Sequence, residues 1–400
     1  MRKPTKWMGP YIGETILGYH TPVFFDLHTS IASSNPPGVY ISGSPGSGKS
    51  FFSMMMAYQS TLSGKTTVYL DPKADSVNIM NLQSDLGDIN IWNLADDQTM
   101  EPGILDPFSL EKDPAQKQLL VMSLIETFVG TLTSEQRNSL TPIVEDVLRG
   151  KKPSLKIVMQ KLLARRNDPQ ANALGNQLKL IQPLPFARLC FDHYEGEQMK
   201  IGKGLTIITL LGLKMPDPNM DPKDYQINDR LGMGIMFLVT NYIRNIMIGN
   251  DDRNNDGSKR VPPPKTIIID ESWAVLATQM GRQVISEICR LGRSLNTACV
   301  LISQNADDID KFGLQNSIST RFAFRVKTIE EGERVRKSFD LPEDVNISQQ
   351  MINFDKGDCV MKDFFGNVSC VHIDSYDQRI FNAFNTNPFE RAKKDQEGNQ

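Results

Sequence analysis

Apolar residues along this chain follow two periods, and the change between them divides it. Short continuous runs come first, at Gly38-Val-Tyr-Ile-Ser42 and Thr66-Thr-Val-Tyr-Leu70. They return at Ile207-Ile-Thr-Leu-Leu211, Thr266-Ile-Ile-Ile269 and Ala298-Cys-Val-Leu-Ile-Ser303. β-Prone runs without polar alternation predict strands covered on both faces, the mark of a mostly parallel sheet. From 116 to 189 the spacing changes to three and four. Leu119, Leu120, Met122, Leu124 and Phe128 mark one helix, and Ile143, Val144, Val147 and Leu148 a second. Leu155, Val158, Met159, Leu162 and Leu163 mark a third, and Leu174, Leu178 and Ile181 a fourth. Pro142 and Pro153 are expected near helix starts, and Thr133-Ser-Glu-Gln136 has capping-box form. The expected organisation is an α/β sheet domain in two parts, 1–105 and 201–400, interrupted by an all-helical insertion over 106–200.

Around these elements, Trp7 to Gly18 and Pro22-Val-Phe-Phe-Asp26 read as short strands broken by glycines. This aromatic segment either packs on the sheet or covers a bound base; the residues leave both open. Helices are expected from about Leu231 to Ile248 and from Trp273 to Leu291, with a polar surface loop at 249–260. Lys151, Lys152, Lys156, Lys161, Arg165 and Arg166 are mixed with acids and read as a solvated helix face. The Lys-Asp-Gln-Glu-rich final residues read as frayed.

Composition narrows the class. The chain has 400 residues and a net charge of -3, which argues against a generally basic nucleic-acid binder. Five cysteines without a CxxC pair, in apolar surroundings, fit core thiols in a reduced compartment. No apolar run approaches the ~20 residues of a membrane span, so membrane attachment is expected through a partner.

The strongest chemical signal lies just after the first buried run. Gly43-Ser44-Pro45-Gly46-Ser47-Gly48-Lys49-Ser50 stands between a predicted strand and a predicted helix opening at Phe51. In that context GxxxxGK[ST] is a phosphate-binding P-loop, with backbone N–H groups turned onto one phosphate beside a helix N-terminus. Lys49 is placed to reach the β- and γ-phosphates, and Ser50 to ligate magnesium. Asp71 ends the next strand, where it either meets the magnesium shell or caps a helix. Asp270-Glu271 ends the strand 266–269 in the manner of a Walker B: the first acid for magnesium, the second for the attacking water. Gln304 ends the strand after it and is a candidate γ-phosphate sensor. Arg290 and Arg293 close a helix, and Arg321 and Arg325 alternate on a strand. Arg290, Arg293 and Arg321 lie close in sequence to the Asp270-Glu271 and Gln304 strands and are expected near one sheet edge with them. One of these arginines is a candidate finger acting on a neighbour's nucleotide.

In this order the parts resemble the HerA–FtsK superfamily of hexameric motor ATPases. The series is P-loop, Asp71-Pro-Lys73, helical insertion, Asp270-Glu-Ser-Trp273, Arg290-Leu-Gly-Arg293, Gln304 and Arg321-Phe-Ala-Phe. Within the superfamily the chain is most similar to the TraC-type (VirB-four-like) ATPases of conjugation and type IV secretion. The likeness extends to Gly357-Asp-Cys-Val-Met-Lys-Asp363 and the downstream Asn385-Thr-Asn-Pro388. It implies a RecA-like P-loop fold, ATP and Mg2+ as cofactors, and a hexamer when active. Position by position it implies Gly43 to Phe51 around the nucleotide, Ser50 and Asp270 on the metal, Glu271 as base and Gln304 as sensor. For the finger it leaves Arg321 and the Arg290/Arg293 pair open. It also implies secretion-apparatus partners, among them membrane components and a coupling protein, with DNA a candidate contact. The implied location is the cytoplasmic face of the cell membrane, held there through partners. Members of the family carry an N-terminal domain, so this chain reads as the motor half. Competing readings are a DNA-translocating coupling ATPase, a nucleotide-binding scaffold without turnover, and a small-molecule kinase.

Overall fold

A computed structural model describes residues 9–95, 100–196, 201–217, 220–248, 262–375 and 377–385. The expected loop at 249–260, Trp7, the 386–388 stretch and the final residues lie outside these. Eleven strands form one sheet among the described residues. In chain order they are β1 (Tyr11–Thr15), β2 (Pro22–Phe24), β3 (Gly38–Ser42), β4 (Thr66–Asp71), β5 (Ile89–Asn93) and β6 (Leu205–Thr209). The rest are β7 (Lys265–Ile269), β8 (Thr297–Ile302), β9 (Ile318–Phe324), β10 (Asp358–Lys362) and β11 (Val368–Ile373). Their spatial order is β2-β1-β11-β10-β9-β3-β8-β7-β4-β6-β5.

From β9 to β5 every pairing is parallel. From β9 outward through β10, β11, β1 and β2 every pairing is antiparallel. The β1/β2 pair therefore extends the far side of the sheet; Ile12 is fully buried there and Tyr11 meets Phe24 edge-on.

The continuous apolar runs are explained by burial on two faces. In β3, Val39 and Ile41 enter the core on one side and Tyr40 the core on the other. In β7, Ile268 goes to the first and Ile267 and Ile269 to the second. The first face is covered by the helix Lys49–Leu62, whose Phe52, Met54, Met55 and Met56 are at most 2 % exposed. Burying each such side chain contributes about 1.5–3 kcal/mol. The second face is covered by the helices Ile227–Ile248 and Gln279–Gly292. Arg244 fastens these together, donating through Nε to Glu287 at 2.6 Å and through Nη1 to Glu111 at 3.0 Å.

Between β5 and β6 the described residues form helices and no strand, chiefly Pro114–Val129, Ser134–Leu148, Leu155–Ala164 and Pro169–Ile181. Thr133 and Gln136 make the reciprocal capping bonds. Pro142 is not at a helix start: it lies inside Ser134–Leu148, on the exposed side, where water can take the carbonyl its missing N–H releases. The helices between β5 and β6 share one apolar core with the second sheet face. Gly234 of Ile227–Ile248 makes room for Phe128, whose Cε1 would lie 2.2 Å from any Cβ there.

The expected helix Trp273–Leu291 is two helices, Trp273–Leu276 and Gln279–Gly292. Thr278 takes extended backbone angles and its Oγ1 accepts from Gly281 N–H at 3.0 Å, so it caps the second helix and breaks the first. All five cysteines are buried and free. Among the described residues no helix is long and apolar enough to cross a membrane.

Candidate active site

In parallel sheets a ligand edge forms where the strands end and the backbone turns into loops. Here β3 ends in the P-loop, β4 in Asp71, β7 in Asp270-Glu271 and β8 in Ser303-Gln304. Because β8 lies between β3 and β7, the Gln304 position separates the loop from the acids. The candidate residues Gly43 to Phe51, Asp270, Glu271 and Gln304 are thus brought to one edge.

The loop is held from two sides. Ser44 N–H and Oγ both donate to the Arg325 carbonyl, at 2.9 and 2.7 Å. Gly357 N–H donates to the Ser47 carbonyl at 3.0 Å. Glycine is required where the loop meets these walls: a Cβ on Gly43 would lie 2.7 Å from Phe324 Cβ, and Gly48 has φ +113°. Lys49 Nζ donates to the loop carbonyls of Gly43 and Ser44, at 2.6 and 2.9 Å. Burial pulls its ammonium down to about 8, against the attraction of Asp270 and Glu271.

Asp71 is 1 % exposed and accepts from Lys73 N–H at 3.0 Å and Ser76 N–H at 2.7 Å. That resolves part of its role: it organises the turn after β4. Asp270 accepts from the Glu271 N–H at 2.8 Å. Burial, then the neighbouring carboxylates of Glu271 and Asp71, push Asp270 up to about 7. Glu271 has φ +51°, a left-handed backbone that costs a non-glycine residue about 1–3 kcal/mol. Burial works against its charge, yet the Lys73 ammonium and the Trp273 N–H hold its carboxyl below the usual range. Lys73 Nζ pairs with Glu271 Oε1, and Trp273 Nε1 donates to Oε2 at 2.7 Å.

A nucleotide with magnesium fits these residues. Ser47 Oγ is buried without a hydrogen-bond partner among the described residues, inside the loop that would face phosphate. Crowded buried acids at Asp270 and Asp71 are the donor set a hard cation relieves, with Ser50 on the adjoining helix turn.

The arginines separate. Gln279–Gly292 runs back from the acids over 14 residues, ~20 Å, toward the start of β8. Arg290 and Arg293 therefore lie at the opposite edge, both exposed, with Arg293 donating to Ser34 Oγ at 3.0 Å. Arg321 is mid-strand, in register with Tyr40. It donates to the Ser338 carbonyl and, at 2.6 Å, to Ser338 Oγ, and lies 3.6 Å from Asp310. The expectation that Arg290, Arg293 and Arg321 share one sheet edge is thus corrected by the helix direction. Lys73 and Trp273 stood in the quoted motifs without a role, and their joint hold on Glu271 was missed. Arg334, which lines a small cleft with Gln304 and Gly43, carried no motif at all.

Comparison with known proteins agrees with this architecture. The chain is 21% identical over 361 residues to "Uncharacterized protein YddE" of Bacillus subtilis (strain 168), covering 86% of this chain and 42% of that protein's length. It superposes on VirB4 of Thermoanaerobacter pseudethanolicus with a TM-score of 0.73 at 15% identity, over 94% of this chain and 99% of that one. For the plasmid coupling protein TrwB in complex with ADP and Mg2+ the TM-score is 0.56 at 13% identity, over 92% of this chain and 96% of that one. The chain shares its fold with these two proteins. An AAA-like domain matches residues 23–384, and the chain belongs to that family.

Proposed function

We propose that this chain is the ATP-hydrolysing motor of a conjugative type IV secretion system, driving apparatus assembly or transfer of DNA or protein. The observation that carries the reading is the meeting of Lys49, Asp270, Glu271 and Gln304 at one edge of a sheet shared with VirB4. The fit to VirB4 is closer than the fit to TrwB, which favours this reading over a coupling ATPase.

In the proposed mechanism the P-loop N–H groups and Lys49 bind phosphate oxygens. Ser50 and Asp270 hold Mg2+, which supplies positive charge against those oxygens. Glu271 accepts a proton from the attacking water, and Gln304 orients that water or senses the terminal phosphate. The insertion expected over 106–200, helical and strandless at its described residues, is carried by the motor. The motor acts as a ring, with secretion-apparatus proteins as partners that bring it to the membrane. Arg321 bonds Ser338 of its own chain, and the exposed Arg290 and Arg293 are the candidates tested first for a trans-acting arginine.

The test is phosphate release from ATP with Mg2+ across a range of protein concentrations. The expected result is a specific activity that rises with concentration. Mixing Lys49→Ala with Arg293→Ala or Arg290→Ala protein restores turnover, because each supplies what the other lacks. Activity that is independent of concentration, with no rescue on mixing, removes the trans arginine; no phosphate release at any concentration removes the hydrolase reading.

A further inference from the structure

Both oxygens of the Glu271 carboxylate are engaged. Oε1 is paired with Lys73 Nζ and Oε2 accepts from the buried Trp273 indole at 2.7 Å. An ammonium offers donors and no acceptor, so a water beside Oε1 competes with Lys73 for the oxygen that would take its proton. The left-handed backbone at Glu271 and the bond from its own N–H to Asp270 fix the start of the side chain. Swinging the carboxylate away is therefore the harder motion. Lys73 is the movable partner: its side chain is 56% exposed while that of Glu271 is 9% exposed. Its backbone is anchored to Asp71 at the end of β4, on the edge that holds the P-loop. Lys49 and Lys73 thus act on the same two acids, Asp270 and Glu271.

We propose that Lys73 is a latch on Glu271. It is a positioning residue that keeps the carboxylate covered until its ammonium is drawn to a stronger anion, the terminal phosphate of a bound nucleoside triphosphate. The inference rests on Glu271 being the proton acceptor. It makes phosphate binding and exposure of the base one event, so the base is uncovered only when there is a phosphate to attack.

The experiment uses the full chain with Trp7→Phe and Trp92→Phe, leaving Trp273 as its single tryptophan. Lys73→Met keeps the side-chain length and removes the charge. Its kcat rises roughly three- to tenfold with KM for ATP within about twofold, since the ammonium exchanges one anion for another. Lys73→Arg, which still pairs with a carboxylate, raises kcat less. An unchanged or lower kcat in Lys73→Met overturns the latch and leaves Lys73 as a phosphate ligand or a prop. The fluorescence readout needs no turnover. A non-hydrolysable ATP analogue with Mg2+ shifts Trp273 emission in the parent and not in Lys73→Met, which has no pair to break; equal shifts overturn the proposal. Lys73→Gln carries the same expectations should Lys73→Met fold poorly. Glu271→Gln separates the two claims. If it hydrolyses ATP at the parent rate, the base assignment fails and the latch with it; if it is inactive and Lys73→Met is no faster, the latch alone fails.

Discussion

Asp270 carries the largest electrostatic load at the site. Burial beside Glu271 and Asp71 raises its carboxyl from 3.8 to about 7. The folded chain therefore holds a proton there between those values that the unfolded chain has lost, and this group's contribution to stability falls as pH rises across that window. With divalent cations chelated, Asp270→Asn is expected to raise the melting temperature at pH 8 and to raise it by less than half as much at pH 5. A variant that melts below wild type at pH 8 contradicts the assignment of the strained charge to this residue. Lys49, Asp270 and Glu271 were legible in the sequence because each sits in a short pattern tied to a strand end. The pairing of Lys73 with Glu271 spans 198 residues and depends on β4 lying beside β7, which no local pattern announces.

At the scale of elements, the P-loop helix has no side-chain cap and is held by aromatic contacts. Phe52 is fully buried, with its ring 4.7 Å from that of Phe322 and 6.1 Å from that of Phe324. Phe52→Ala is expected to cost about 3–5 kcal/mol in denaturant unfolding and to weaken nucleotide binding through the displaced loop. Loss of less than ~1 kcal/mol would mean the helix is positioned by something else. Strands buried on both faces were legible as apolar runs. β5 was not, because it forms the edge of the sheet and none of its five residues is fully buried. The break at Thr278 was hidden because the apolar spacing continues through it; a single capping hydroxyl decides it. Pro142 misled for the opposite reason, since an exposed helix face tolerates the lost hydrogen bond.

The whole molecule joins one chemical edge to a ring-forming body in the proposed account. Its topology puts β8 between the P-loop strand and the acid strand, and the helix Gln279–Gly292 carries Arg290 and Arg293 to the opposite edge. Sequence order alone had grouped those arginines with the acids, because proximity along the chain hides the direction in which a helix runs. In the proposed mechanism the chemical edge divides binding from chemistry between two residues, and ATP binding and phosphate release measured on the same preparations separate the two. Lys49→Ala is expected to lose both, while Glu271→Gln binds ATP with Mg2+ about as tightly as wild type and releases phosphate roughly a hundredfold or more slowly. Wild-type turnover in Glu271→Gln, or wild-type binding and turnover in Lys49→Ala, would contradict that mechanism.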